Sequence, residues 1–228
     1  MKTLGVIGGI GPLSTFYFGE MVVRRHNAPK DQENVPMIVL NDTTIPDRTE
    51  HLLNRSLPSP LPKLLENVRL LNDLQVDYIT LICNTSYAFI NDLEKASGVD
   101  ILKMPELAIQ KLVKDGVKKA GLASTAGTRK VGIYQQYAEK YGVQLTVVND
   151  DMQTALMEII YGKVKANKPV PREEFDVVTR YLFDLGCEQI ILGCTELSVL
   201  KKVYQLSDTN FCDPIEVLAD VVIERCES

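Results

Sequence analysis

The sequence predicts an α/β fold made of two similar halves, each a parallel sheet flanked by helices. Short β-branched runs that end in Gly, Asn or Cys alternate with stretches of helical periodicity, the pattern of strands joined by crossover helices. The series then begins again midway. "KKAGLASTAGT" (118–128) parallels "KTLGVIGGIGP" (2–12), "LTVVND" (145–150) parallels "MIVLND" (37–42), and "EQIILGCTE" (188–196) parallels "DYITLICNT" (77–85). In the last pair an acidic residue, Asp77 or Glu188, stands six positions before a cysteine, Cys83 or Cys194. Buried strands all draw on Val, Ile and Leu, so chance likeness is the alternative. Agreement of three landmarks in order as well as type favours duplication.

The elements come in order. "TLGVIGG" is a β-branched run broken by glycines, a buried parallel strand entering a loop. Thr15 to Arg25 carries apolar Phe16, Phe18, Met21, Val22 and Val23 at helical spacing. "PMIVLND" (36–42) is the second strand. A loop holding Pro58, Pro60 and Pro62 leads into "LPKLLENVRLLNDLQ", whose leucines and valine recur as in a helix. "DYITLIC" is the third strand and ends at Cys83. The second series repeats this plan. The expected division is a first domain of residues 1–102 plus 206–228 and a second of residues 103–205.

Composition narrows the function. The 228 residues suffice for one large or two small domains, and 45% hydrophobic with 24% charged residues is ordinary for a globular chain. A net charge of −5 argues against general nucleic-acid binding, which needs a basic face, but not against a small anionic substrate. The N-terminus lacks a signal-peptide pattern, and no apolar run approaches the roughly 18 residues of a membrane span. Five cysteines form no CxxC, and two histidines have no ligand spacing, so a zinc site is not expected. These features predict a cytoplasmic protein with free thiols and without nucleic-acid or membrane partners.

Ligands of parallel sheets bind beyond the carboxyl ends of the strands. Cys83 and Cys194 fall at such ends, as do Asn41 and Asn149. If the halves face one another, the two thiols flank one cleft. A thiolate on one side and a thiol on the other suit removal and return of a proton at a carbon stereocentre. Asn84 and Thr85 after the first cysteine, and Thr195 and Glu196 after the second, supply donors at a helix N-terminus. No histidine adjoins either cysteine; His26 and His51 read as surface or boundary residues, and Cys187, Cys212 and Cys226 as structural.

"GVIGGIGPLST", "CNT" at 83–85, "GLASTAGT" at 121–128 and "GCTEL" at 193–197 together resemble the aspartate/glutamate racemase superfamily, in its cofactor-independent aspartate racemase-type branch. The resemblance spans essentially the whole chain. It implies two pseudosymmetric Rossmann-like domains with the active site in the cleft between them, a homodimer, and chemistry without pyridoxal phosphate or metal. Cys83 and Cys194 would be the two bases. Asn84, Thr85, Thr125 and Thr195 would hold the α-carboxylate or ammonium of an acidic amino acid. Arg48 matches the family arginine that meets the side-chain carboxylate, a task suited to a bidentate guanidinium. Lys165 matches the lysine beside it, with Lys163 a possible substitute. The chain departs from the pattern at Ile82, where the family has Pro, and at Tyr87, where it has His.

Other readings are weaker. "GGIGPLS" resembles a dinucleotide loop with Asp42 as ribose acid, but Ser14 replaces the third glycine and Pro12 removes an amide donor. A two-cysteine isomerase or decarboxylase of a small dicarboxylate, and a non-catalytic amino-acid-binding protein, share the same residues. The reading favoured is racemisation of aspartate, extending to glutamate or other amino acids.

Overall fold

The computed structural model describes residues 1–227. The chain divides into two compact units: Met1–Met104 together with the described residues from Ile215 onward, and Pro105–Pro214. In chain order the elements of the first are β1 (Leu4–Gly8), α1 (Pro12–His26), β2 (Met37–Asn41), α2 (Arg48–Leu53), α3 (Leu61–Asp73), β3 (Tyr78–Leu81), α4 (Ile90–Ala96) and β4 (Asp100–Leu102). The second carries α5 (Met104–Lys114, starting at the boundary), β5 (Lys119–Ser124), α6 (Ala126–Val131), α7 (Ile133–Tyr141), β6 (Gln144–Val147), α8 (Asp150–Met157), α9 (Arg172–Asp184), β7 (Gln189–Gly193), α10 (Thr195–Tyr204) and β8 (Phe211–Cys212). The last helix, α11 (Pro214–Glu227), returns to the first unit.

Each unit holds one four-stranded parallel sheet, ordered β2-β1-β3-β4 in the first and β6-β5-β7-β8 in the second. The two orders are the same, so the repeat read from sequence is a repeat of topology. It extends to side chains. Asp77 accepts the Thr3 amide at 2.6 Å, tying the entry of β3 to that of β1. Its counterpart Glu188 accepts the amides of Lys118 and Lys119 at 3.1 and 2.9 Å, tying β7 to β5 in the same way. Gly5 in β1 lies so close to Leu71 of α3 that an added methyl would stand 3.0 Å from that side chain, and Gly121 in β5 stands in the same relation to Leu182 of α9. The central strand of each sheet thus lets a helix pack directly on its backbone.

The cores follow from this layering. Leu4, Val6, Ile7, Ile79 and Leu81 are buried in the first sheet, and Ala120, Leu122, Ile190, Ile191 and Leu192 in the second, as parallel strands covered on both faces require. Helix α1 begins at Pro12, three residues before the periodicity suggests, because proline is tolerated where the amide has no helical partner. Strands β4 and β8 have three and two residues, too few to show a period in the sequence. Among the described residues no helix is long and apolar enough to cross a membrane.

Candidate active site

In the first unit the chain leaves β3 at Leu81, bends at Ile82, and enters a 3-10 turn over Asn84–Phe89 with the extended Cys83 at its head. Cys83, Asn84 and Thr85 are buried beyond the carboxyl end of a central strand. Arg48 opens α2, whose start is capped by Asp47 accepting the Glu50 amide. Sequence alone gives Arg48 the look of a surface charge, yet it is buried, its Nη2 donating to the Ile10 carbonyl at 2.9 Å and Nη1 to that of Pro46 at 3.2 Å. The guanidinium therefore holds the β1–α1 loop to the start of α2. Helix α2 is in turn joined to the cysteine turn by His51, whose ring lies 6.1 Å from that of Phe89.

His51 corrects its sequence reading, since it is buried. Arg55 donates to its Nε2 at 3.1 Å, which leaves Nδ1 to donate to the Leu57 carbonyl at 2.9 Å. Tyr87 is fully buried. Its hydroxyl lies 3.0 Å from the Leu102 carbonyl, 3.2 Å from that of Leu81 and 3.3 Å from Thr80 Oγ1. It thereby clamps β3 to β4. Burial pushes its pKa above the usual tyrosine range, with the Thr80 hydrogen bond opposing that shift.

The glycine loop serves the fold as well. Gly9 has φ +77°, and a side chain there would overlap the backbone of Asp42. Its amide donates to Thr15 Oγ1 at 3.1 Å. Asp42, the candidate ribose acid, has both oxygens engaged: Oδ1 by the Thr44 amide and hydroxyl, Oδ2 by Asn67. These contacts account for the loop without a nucleotide.

In the second unit Cys194 directly follows β7 and heads α10. The parallel register sets Ser124 beside Gly193, which brings Thr125, the cap of α6, alongside the cysteine segment. Thr125 accepts the Thr128 amide at 3.2 Å and its hydroxyl donates to Thr128 Oγ1 at 3.2 Å. Asn149 caps α8 by accepting the Met152 amide. After α8 a π-helical turn, Glu158–Val164, delivers Lys165 toward α10.

There Lys165 Nζ meets Glu196 Oε1 at 3.0 Å, and it also lies 5.2 Å from the centre of the Tyr161 ring. Lys163 points elsewhere and pairs with Glu174 of α9, so of the two lysines Lys165 adjoins the cysteine. The other oxygen of Glu196 accepts the Cys194 thiol at 2.9 Å and the Thr195 hydroxyl at 3.2 Å. Burial pushes the Cys194 thiol well above its usual range, and the neighbouring carboxylate adds to this more than Lys165 subtracts. Burial disfavours charge on Glu196 too, but Lys165 and the thiol hydrogen bond outweigh it, and its pKa falls below the ordinary value.

Glu196 is the residue that sequence reasoning undervalues, because its place among donors hides a carboxylate that accepts. A signal for it exists: an acidic residue two places after a cysteine, inside the apolar frame "IILGCTELSVL". All five cysteines are free and buried. Burial raises Cys212 to about 12 and Cys226 to about 11. Among the described residues no group of three or more His, Cys, Asp or Glu is placed to hold a metal ion.

Each unit thus offers, beyond the carboxyl end of a central strand, a buried free cysteine flanked by small hydroxyl or amide side chains; the first unit also holds the buried Arg48, and in the second the Lys165 ammonium reaches in from the surface to the buried Glu196. Such a set can bind a carboxylate and move a proton.

Comparison with known proteins agrees with this chemistry. The structure resembles the aspartate racemase of Picrophilus torridus, with 27% sequence identity and a TM-score of 0.82 over 100% of this chain and 95% of that one. Its fold also matches that of an aspartate racemase homologue from Pyrococcus horikoshii OT3, at 23% identity and a TM-score of 0.80 over all of both chains. In sequence it is 30% identical to the glutamate racemase of Aquifex pyrophilus over 163 residues, 68% of this chain and 61% of that protein. It is 24% identical to the broad specificity amino-acid racemase RacX of Bacillus subtilis over 212 residues, 86% of each. The Asp/Glu/Hydantoin racemase family matches residues 7–222, almost the entire length, and the chain belongs to that family of racemases.

Proposed function

We propose that this racemase acts on aspartate, extending to glutamate, without pyridoxal phosphate, by proton transfer between two cysteines. The observation that carries the reading is the duplicated placement: Cys83 and Cys194 occupy equivalent positions beyond the central strands of two sheets of equal topology. A core thiol has no reason to recur at both places with a hydroxyl residue close behind it.

In this reading the substrate binds with one cysteine on each face of its α-carbon. The thiolate on one face takes the α-proton, breaking the C–H bond, and the thiol on the other face gives its proton to the carbanion. The enantiomer results, with the protonation of the two sulfurs exchanged. Asn84, Thr85, Thr125 and Thr195 hold the α-carboxylate and ammonium, which lowers the cost of charge at the α-carbon. Arg48 and Lys165 meet the side-chain carboxylate. The full-length likeness to an aspartate racemase supports the choice of aspartate. The expected assembly is a homodimer, and buried free thiols fit a reducing, cytoplasmic setting.

The test is proton NMR of L-aspartate in deuterium oxide with the purified protein and no added pyridoxal phosphate, read beside chiral chromatography. Loss of the α-proton signal together with D-aspartate is the expected result. Intact aspartate with no exchange would reject it as substrate. A maleate-like diacid converted in its place would move the reading to dicarboxylate isomerisation.

A further inference from the structure

The two cysteines have equivalent places but unequal neighbours. Cys194 donates its proton to a carboxylate 2.9 Å away, and that carboxylate is itself buried, with 6% of its surface exposed. The charge of Glu196 is sustained by Lys165 at 3.0 Å on its other oxygen and by the Thr195 hydroxyl at 3.2 Å. A carboxylate accepts hydrogen bonds and cannot return one, so it favours the sulfur that keeps its proton. Moving that proton onto Glu196 would take it from a thiol that burial holds well above its usual range to a carboxyl that Lys165 and the thiol hydrogen bond hold below its ordinary value, which is uphill. Glu196 is therefore badly suited to be a base for Cys194 and well suited to retain its proton.

We propose that Glu196 is a positioning residue that holds Cys194 as the proton-donating member of the cysteine pair, with Lys165 acting through Glu196 to set how firmly. This rests on the racemase reading above. The resting enzyme then carries its donor thiol on the second unit, and the first abstraction in a turnover falls to Cys83. Removing the Glu196 charge should release the Cys194 proton more readily, whereas removing the Lys165 charge should bind it more firmly.

The opposite signs provide the test. The full chain is treated with iodoacetamide at pH 8, and labelling at each cysteine is followed by peptide mass spectrometry. The proteins compared are the wild type, Glu196→Gln, Glu196→Asp and Lys165→Met. Each tenfold gain in thiolate is partly offset by the lower nucleophilicity of a less basic sulfur, leaving about a threefold gain in rate. Glu196→Gln should label at Cys194 at least about threefold faster, Lys165→Met should label more slowly, and Glu196→Asp should remain near wild type. Cys83, in the other unit, should keep its rate in all four. If both charge-removing variants label faster, the residues merely hold the structure together and the proposal is overturned. Equal rates in wild type and Glu196→Gln overturn it as well.

A second arm reads catalysis. In deuterium oxide Cys194→Ser should still exchange the α-proton of one enantiomer through Cys83, and Cys83→Ser should exchange neither until Glu196→Gln is added. Exchange by Cys83→Ser alone would overturn the assignment of donor. Labelling with the expected signs but no exchange in any protein, wild type included, would leave the role of Glu196 intact and reject the racemase reading.

Discussion

Replacing Tyr87 by Phe separates two roles for this side chain, a clamp between strands and a participant in the chemistry. The substitution keeps the ring, fully buried between β3 and β4, and deletes only the hydroxyl. One O–H can donate to one acceptor at a time, and the Leu102 carbonyl at 3.0 Å is the nearest. That carbonyl also receives the Thr80 hydroxyl at 3.1 Å, so it retains a partner when Tyr87 loses its own. The loss is then one buried hydrogen bond with little added desolvation, about 1 kcal/mol and at most about 2. For a chain of this size that lowers Tm by roughly 2–8 °C. The racemisation rate at saturating aspartate should stay within about twofold of wild type, because the hydroxyl clamps strands and moves no proton in the reaction. Thermal melting by circular dichroism and chiral analysis of product measure the two effects on the same sample. A rate loss of about 100-fold with an unchanged Tm would refute this reasoning and make Tyr87 a chemical participant, since general acid–base groups contribute about that much.

The same structure carries other expected outcomes. Cys83→Ser and Cys194→Ser should each abolish racemisation in the chiral assay with the fold retained; full activity in either would end the two-base mechanism. Arg48→Ala should impair use of aspartate far more than of alanine, beside a fall in Tm from its lost carbonyl contacts, and equal losses on both substrates would reject its role. Gly9→Ala places a side chain at φ +77° against the Asp42 backbone, so it should cost more than the about 1–2 kcal/mol of left-handed backbone strain alone. Gly142→Ala, at φ +72° with no neighbour within 4 Å, should show that strain by itself in urea unfolding. Hydrogen bonds from Thr44 hold the Asp42 carboxyl below its ordinary value of 3.8, against a smaller opposing effect of burial. A depressed carboxylate stabilises the fold above its unfolded pKa and loses that contribution as pH falls through its folded pKa. The Tm gap between wild type and Asp42→Asn should therefore be full near neutral pH and close below about pH 3.8.

Strands β1, β2, β3, β5, β6 and β7 are legible in the sequence because buried parallel strands read as short β-branched runs and because each run recurs. The two cysteines stand out for the same reason. The segments after the cysteines are less legible. Both look like helix starts, yet the one after Cys194 is α-helical while the one after Cys83 is a 3-10 turn, in which Tyr87 reaches back to the Leu81 carbonyl. That pull depends on a tertiary contact with β4, a three-residue strand invisible to periodicity. Arg48 cannot be told from a surface charge by sequence, since its burial depends on carbonyls of Ile10 and Pro46 that only the folded loop supplies. Likewise the choice between Lys163 and Lys165 turns on a π-helical turn, which rotates the two lysines onto different partners, Glu174 and Glu196.

The return of α11 to the first unit has a consequence for the order in which the chain can fold during synthesis. Residues 105–214 are contiguous, so the second unit has all its strands once β8 has left the ribosome. The first unit, although begun earlier, must wait for Arg25 to meet Glu216 and Asp220, and for the Lys2 amide to meet the Cys226 carbonyl at 2.9 Å. A circular permutant that joins the ends near Lys2 and Cys226 and opens the chain between residues 104 and 105 would make both units contiguous and remove that delay.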